Sequence, residues 1–405
     1  MTKVNKPKIR FKNFNDSWSL RKLSDTQTDF KDGNYGEAYP KETDLTSSTQ
    51  GVPFLRGSDL DNGKLTLTSA RYITQSKHNE LISGHLIEDD IVIAVRGSLG
   101  SLGYVGPDNE GWNINSQLAI IRTRKIELIG NYLIQFLLSN RGNKEISSHI
   151  TGTALKQLPI KQLKNIKVPI PKIEEQTAIG ALFRTLDDLL ASYKDNLANY
   201  QSLKATMLSK MFSKAGHNVP EIRLDGFDGE WENKILSEVT NITMGQSPKS
   251  ENYTDNPNDY ILVQGNADIK DKQVVPRLWT TEVTKMAEIG DIILTVRAPV
   301  GDIGKTDYNV VIGRGVAAIK GNDFIFYTLE KMKMTGFWNR FSTGSTFDSI
   351  SSNDIKEAII QIPTLKEQQA IGAYFSNLDN LISAHQEKIF QLETLKKKLL
   401  QDMFI

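Results

Sequence analysis

Apolar residues recur in alternating steps of four and three over two stretches of the chain. In 174–212 they fall at Leu186, Leu190, Tyr193, Leu197, Tyr200, Met207 and Met211. In 366–404 the same register selects Leu378, Ile382, His385, Ile389, Leu392, Leu399 and Met403. That period predicts long helices packed through a left-handed coiled-coil seam. The polar member of each seam is a lysine, Lys204 and Lys396, which suits a register device or a wet patch. Pro171 and Pro363 mark the entries, and "TLKE" (364–367) has the form of a capping box, Thr364 with Glu367. The first stretch carries Lys172 instead of Thr364, so its cap is made differently. At about 1.5 Å per residue each helix is about 58 Å long.

Upstream of each helix the pattern changes to short apolar runs. "DIVIAVR" (90–96) and "LAIIRT" (118–123) read as buried strands, with "DIILTVR" (291–297) and "GVAAIK" (315–320) as counterparts. "NYLIQFLLSN" (131–140) and "FIFYTLEKM" (324–332) read as one helix per domain. The class expected is α+β.

The two halves of the pattern are one pattern written twice. "EEQTAIGALFRTLDDLL" (174–190) returns as "KEQQAIGAYFSNLDNLI" (366–382), 192 residues later, and "MF" closes both copies. "IRFKNFNDSW" (9–18) returns as "IRLDGFDGEW" (222–231). A period this long is a duplicated module, not a solenoid repeat. The division expected is a first globular domain over 1–170, a helix over 171–212, a linker over 213–221, a second globular domain over 222–362 and a second helix over 363–405. Only about ten residues separate Phe212 from the second domain, so geometry predicts that the second helix runs back antiparallel to the first. The two domains would then lie at opposite ends of a two-helix rod. The competing arrangement keeps each helix inside a larger separate domain.

Composition narrows the function classes. The 405 residues contain no cysteine, which excludes disulfides and thiolate metal sites and fits a reducing, cytoplasmic setting. No stretch approaches 18 consecutive apolar residues, and no signal-like segment opens the chain, so no membrane association is expected. The formal net charge is +1, which does not by itself suggest a nucleic-acid partner. No dinucleotide-binding glycine fingerprint, phosphate-binding loop, zinc-protease motif or amino-methyltransferase tetrad is present, and His78, His85, His149, His217 and His385 lack metal-ligand spacing. No catalytic, cofactor-binding or metal-ligating residue is expected in this chain.

Candidate contacts lie instead at strand ends and polar loops. Arg96 and Arg297 each end a strand and enter a glycine-containing turn, "RGSLGSLG" and "RAPVGDIG", where an arginine could reach a phosphate or a base edge or close a structural salt bridge. Ser98 follows Arg96. "SSHITGTALKQL" (147–158) and "FSTGSTFDSISS" (341–352) form a second matched pair. Thr151, Thr153, Lys156, Thr343, Ser345 and Thr346 there offer small donors of the kind phosphate contacts use, and are equally the material of an ordinary polar loop.

"IPKIEEQTAIGALF" (170–183), "IPTLKEQQAIGAYF" (362–375), "STGSTFDSIS" (342–351) and the openings Trp18–Leu23 and Trp231–Leu236 resemble the specificity subunit of type I restriction–modification enzymes nearly end to end. The resemblance implies two target recognition domains, each reading one half of a bipartite, asymmetric site in double-stranded DNA. It implies an antiparallel coiled-coil spacer on which modification subunits dock, with restriction subunits joining the assembled complex. S-adenosylmethionine, ATP and Mg would serve those partners, and this chain would supply address and spacing without chemistry. No base-reading residue carries over, because the domains vary in sequence across the family. Two heads about 58 Å apart would span roughly 17 base pairs at about 3.4 Å each, an upper figure. The competing readings are a duplicated coiled-coil adaptor that binds proteins without DNA specificity, and a stand-alone DNA-binding factor.

Overall fold

The computed structural model describes residues 6–153, 155–214, 216–341 and 349–405. The chain forms two compact units: Met1–Tyr193 with Lys388–Ile405, and Lys194–Glu387. Each unit is α+β.

In the first unit a four-stranded antiparallel sheet runs in the order Asp29–Asp32, Leu118–Arg122, Ile91–Ala94, Leu102–Tyr104. Its central strands are apolar without alternation because both faces are covered. Ile91, Ile93, Ala119 and Ile121 enter one core with the helices, whereas Val92, Ala94, Leu118 and Ile120 enter another. A three-stranded sheet, Arg71–Ile73, Val52–Leu55, Asn113–Ile114, lies beyond. The second unit repeats the plan. Ile292 and Leu294 face the helix-side core and Ile293 the other, within a six-stranded sheet. The expected strands are all present. The expectation of one helix per domain falls short. In the first unit Gly130–Leu138 is followed by a second helix, Asn140–Ser148, started by Ser139 Oγ accepting from Gly142 N. Both units also add short helices, Gln75–Glu80 and Ile160–Leu163 in the first and Leu236–Val239 and Ser352–Lys356 in the second.

The two long helices span Ile173–Lys210 and Leu365–Asp402, 38 residues each. They pair antiparallel. In the first unit Asp187 of one meets Lys396 of the other at 2.5 Å. In the second unit Tyr200 stacks edge-on against His385, and Lys204 meets Asp379 at 2.5 Å. Of the seam residues, Leu186, Leu190, Lys204, Met211, Leu378, Leu392, Leu399 and Met403 are buried. Leu197, Tyr200, Ile382 and Ile389 are half-buried.

The repeated "EQ–IG" string is explained by four contacts made in duplicate. Glu175 accepts from Arg10 Nε and Nη2 at 2.6 and 2.7 Å, as Glu367 does from Arg223 at 2.8 and 2.8 Å. Gln176 and Gln368 donate to the carbonyls of Pro171 and Pro363 at 3.0 and 2.9 Å, which ties the first turn of each helix to the strand before it. Ile179 and Ile371 are buried. A Cβ on Gly372 would stand 2.7 Å from the Cβ of Asp323, and one on Gly180 would stand 3.1 Å from Asn131 Nδ2. Both glycines let the neighbouring helix approach. The capping box at Thr364 is half made: Thr364 Oγ1 accepts from Glu367 N at 3.4 Å, while the Glu367 carboxylate goes to Arg223 instead.

The closing "MF" of each helix fills an aromatic cluster. Phe404 packs on Tyr132, Phe136 and Phe183 in the first unit, and Phe212 on Trp231, Phe324 and Phe375 in the second. Beside each end the chain returns in the same way: Ile9 N donates to Asp402 O, and Ile222 N to Lys210 O, both at 3.0 Å.

Candidate nucleic-acid interface

Arg96 leaves the end of Ile91–Ala94 one residue after Val95, whose N donates to Gln117 O at 2.8 Å and whose carbonyl accepts from Leu158 N at 3.0 Å. These two bonds bring the loops around 116 and 157 to the arginine. Thr151 and Gln157 exchange two backbone bonds of 2.9 Å, closing a tight loop that holds Gly152 at φ +92°. Only glycine fits there, since a Cβ would stand 2.3 Å from Leu155 O. Arg96, Ser98, Thr151, Thr153 and Lys156 are all exposed, so the structure gathers the expected residues of the first domain along one rim.

The Arg96 guanidinium is held without being buried. It lies 5.2 Å over the Tyr35 ring and donates to Ser116 O at 3.1 Å. Tyr35 also donates to Ser116 O, at 3.2 Å. Burial pushes the Asp32 carboxyl up, opposed by the Tyr35 hydroxyl and by the charge of Arg96. Burial and then Asp32 push the Tyr35 phenol up in turn. The arginine is thus braced by a ring, a carbonyl and a nearby carboxylate.

The second unit builds the same frame. Val296 N donates to Gly315 O at 2.9 Å, and the Val296 carbonyl accepts from Ile350 N at 3.0 Å. Arg297 bridges Ser349 and is exposed. Thr343, Ser345 and Thr346 lie outside the described residues.

Residues the sequence patterns did not single out complete the rim. Tyr35 and Ser116 contact Arg96; in the second unit Arg314 N donates to Ser247 Oγ at 3.0 Å, next to Gly315, whose carbonyl accepts from the residue before Arg297. Arg314 carried a signal in its flanking glycines, Gly313 and Gly315. Tyr35 and Ser116 sit in strings that do not match their counterparts, so repeat matching passes over them.

Other features do not resemble a reaction centre. In the second unit a cleft of about 670 Å³ is lined by Lys204, Lys272, Tyr327, Glu330 and Asp379. Its charges pair with one another: Lys204 meets Glu330 and Asp379 at 3.0 and 2.5 Å, and Lys272 meets Glu330 at 2.5 Å. Burial pushes the Lys204 ammonium down. For Lys272 burial acts the same way, but Glu330 and Asp379 outweigh it and push it up. Among the described residues no three His, Asp or Glu side chains are grouped to hold a metal, and no helix is long and apolar enough to cross a membrane.

The profile of the type I restriction modification DNA specificity domain matches the chain twice, over residues 17–199 and 228–394. The chain is 27% identical over 403 residues to a protein assigned as the type I restriction enzyme MjaX specificity subunit of Methanocaldococcus jannaschii, covering 95% of this chain and 92% of the relative. It is 22% identical over 276 residues to the type I restriction enzyme MjaVIII specificity subunit of the same organism, covering 63% and 65%. Among solved structures, the S subunit of a type I restriction–modification system from M. genitalium shares the fold with a TM-score of 0.67 at 17% identity, covering 99% of both chains.

Proposed function

Because the chain belongs to the family of type I restriction–modification DNA specificity subunits, whose role is sequence-specific recognition and not catalysis, we propose that its domains over 1–170 and 222–362 each read one half of a bipartite, asymmetric double-stranded DNA site. The observation that supports this is the doubled rim: one backbone frame and one shared arginine, surrounded by different side chains in the two domains. Two readers of one build with different lips suit two different half-sites. Arg96, Ser98, Thr151, Thr153, Lys156 and Arg297 are the contacts proposed from the described rims, with Thr343, Ser345 and Thr346 proposed on sequence alone.

Modification subunits would dock on the paired helices, and restriction subunits would join through the assembled complex. S-adenosylmethionine, ATP and Mg would be bound by those partners, with adenine flipped into the modification subunit's pocket for methylation. The formal net charge of +1 gives the isolated chain little phosphate neutralisation, so tight binding is expected of the complex and not of this chain alone. That same charge is what favours the second reading, a coiled-coil adaptor that binds proteins only.

Co-expression with the cognate modification subunit, followed by genome-wide mapping of methylated adenines, separates the two. A bipartite motif that appears only with this chain supports the proposal. A docked and active modification subunit that leaves no such motif sinks it in favour of the adaptor.

A further inference from the structure

The shared frame can be aligned residue by residue from its closest backbone approaches. A Cβ on Gly33 would stand 2.1 Å from Asn115 O, and one on Gly245 would stand 2.0 Å from Gly313 O. Strand register agrees. Asp32 is opposite Ala119, Met244 is opposite Ala317, and each partner strand pairs next with the strand leading to the shared arginine. Tyr35 therefore stands where the second domain has Ser247, and Ser116 where it has Arg314. In both domains these two positions touch each other, through Tyr35 Oη to Ser116 O at 3.2 Å and through Arg314 N to Ser247 Oγ at 3.0 Å. The first pair contacts the exposed Arg96, and Arg314 precedes Gly315, whose carbonyl accepts from the residue before the exposed Arg297.

Arg314 is the sharpest difference. A Cβ on Gly315 would stand 2.0 Å from Gln264 O, and one on Gly313 would stand 3.2 Å from Ser247 Oγ. The backbone on either side is therefore packed, and the Arg314 N–H is itself bonded. The side chain projects exposed from this fixed base. A long, planar donor fork on an immobile root is what bidentate recognition of guanine O6 and N7 needs. An arginine common to both domains cannot distinguish two different half-sites and suits a phosphate, which positions without specifying.

We propose that positions 35/247 and 116/314, and not the shared Arg96 and Arg297, decide which bases each domain reads, with Arg314 reading a guanine in the second half-site. This rests on the DNA-recognition reading above. The test is methylation mapping with the chain in complex with its modification subunits, comparing wild type with Arg314→Ser, Tyr35→Ala and Arg297→Ala.

Arg314→Ser is expected to relax discrimination at a guanine position of one half-site, by roughly 5- to 150-fold for one bidentate contact, and to leave the other half unchanged. Tyr35→Ala is expected to alter only that other half. Arg297→Ala is expected to lower methylation at all sites without changing the motif. The unaltered half-site in each variant shows that the chain is folded and assembled. An Arg314→Ser complex that keeps its motif, or that loses methylation uniformly across sequences, overturns the inference while the recognition reading stands. A wild-type complex without a bipartite motif overturns the recognition reading and this inference together.

Discussion

Arg10 and Arg223 are the residues on which each domain hangs from its helix. The Arg10 side chain is 12% exposed and Glu175 only 2%, and Trp18 Nε1 donates to the same carboxylate at 3.1 Å. Removing one member of a buried pair leaves the other charge stranded. Glu175→Ala is therefore expected to cost about 3–5 kcal/mol in chemical denaturation, and to orphan the Trp18 indole as well. Glu367→Ala strands Arg223 alone, because Trp231 Nε1 finds no acceptor among the described residues of the intact protein. Its cost should be the smaller of the two; an equal or larger loss would mean that the indole bond contributes nothing. The strings that carry Arg10 and Glu175 were legible as repeats, but not as partners. They lie 165 residues apart, and no periodicity within one sequence links an arginine in a loop to a glutamate in a helix. Arg96 was legible because it recurs, and Arg314 was not, because at that position the repeats differ.

At the scale of elements, the two seam lysines form ion pairs of equivalent register. Lys396 reaches Asp187, and Lys204 reaches Asp379. A half-buried pair facing across antiparallel helices favours one register over slipped ones, the role best attested for buried charges. Lys396→Asp is expected to lose less than the ~3–5 kcal/mol of a fully buried pair, since both partners keep about a fifth of their exposure. Adding Asp187→Lys should recover much of the loss, with a coupling of about 0.5–3 kcal/mol in a double-mutant cycle. Additive losses would remove the register role. The period of the seam foretold the pairing, yet not the acceptors, because Asp187 and Asp379 lie off the seam's apolar positions.

Two hairpins show the same limit from the other side. Asn62–Gly63 turns with φ +45° and +86°, the type I′ geometry that Asn-Gly favours. Its counterpart turns through Asp271–Lys272 at φ +49° and +64°, where Asp suits such a turn but Lys does not. Lys272 is held there by Glu330 and Asp379. The first turn could have been read from its dipeptide. The second depends on charges distant in sequence, which no local pattern carries.

For the molecule as a whole, duplication governs what can be changed. A heptad added within Asn196–Lys204, with a matching heptad within Lys388–Lys396, keeps the seam in phase. It is expected to lengthen the unread spacer of the methylation motif while preserving both half-sites; a motif of unchanged length would separate helix length from target length. The α+β class, the doubled plan and the antiparallel helices were all legible, because each rests on strong periodicity repeated twice. The rim was legible only where the two copies agree.

The backbone bond from Ile9 to Asp402 is the twin of the one from Ile222 to Lys210. The second is spanned by the linker 213–221, whereas the first joins residues far apart in the sequence. A chain opened within 213–221, with residue 405 tied to residue 6 by a linker of similar length, should fold to the same two units and leave the same methylation motif. If it does not, the order in which the parts are synthesised matters beyond the contacts they make.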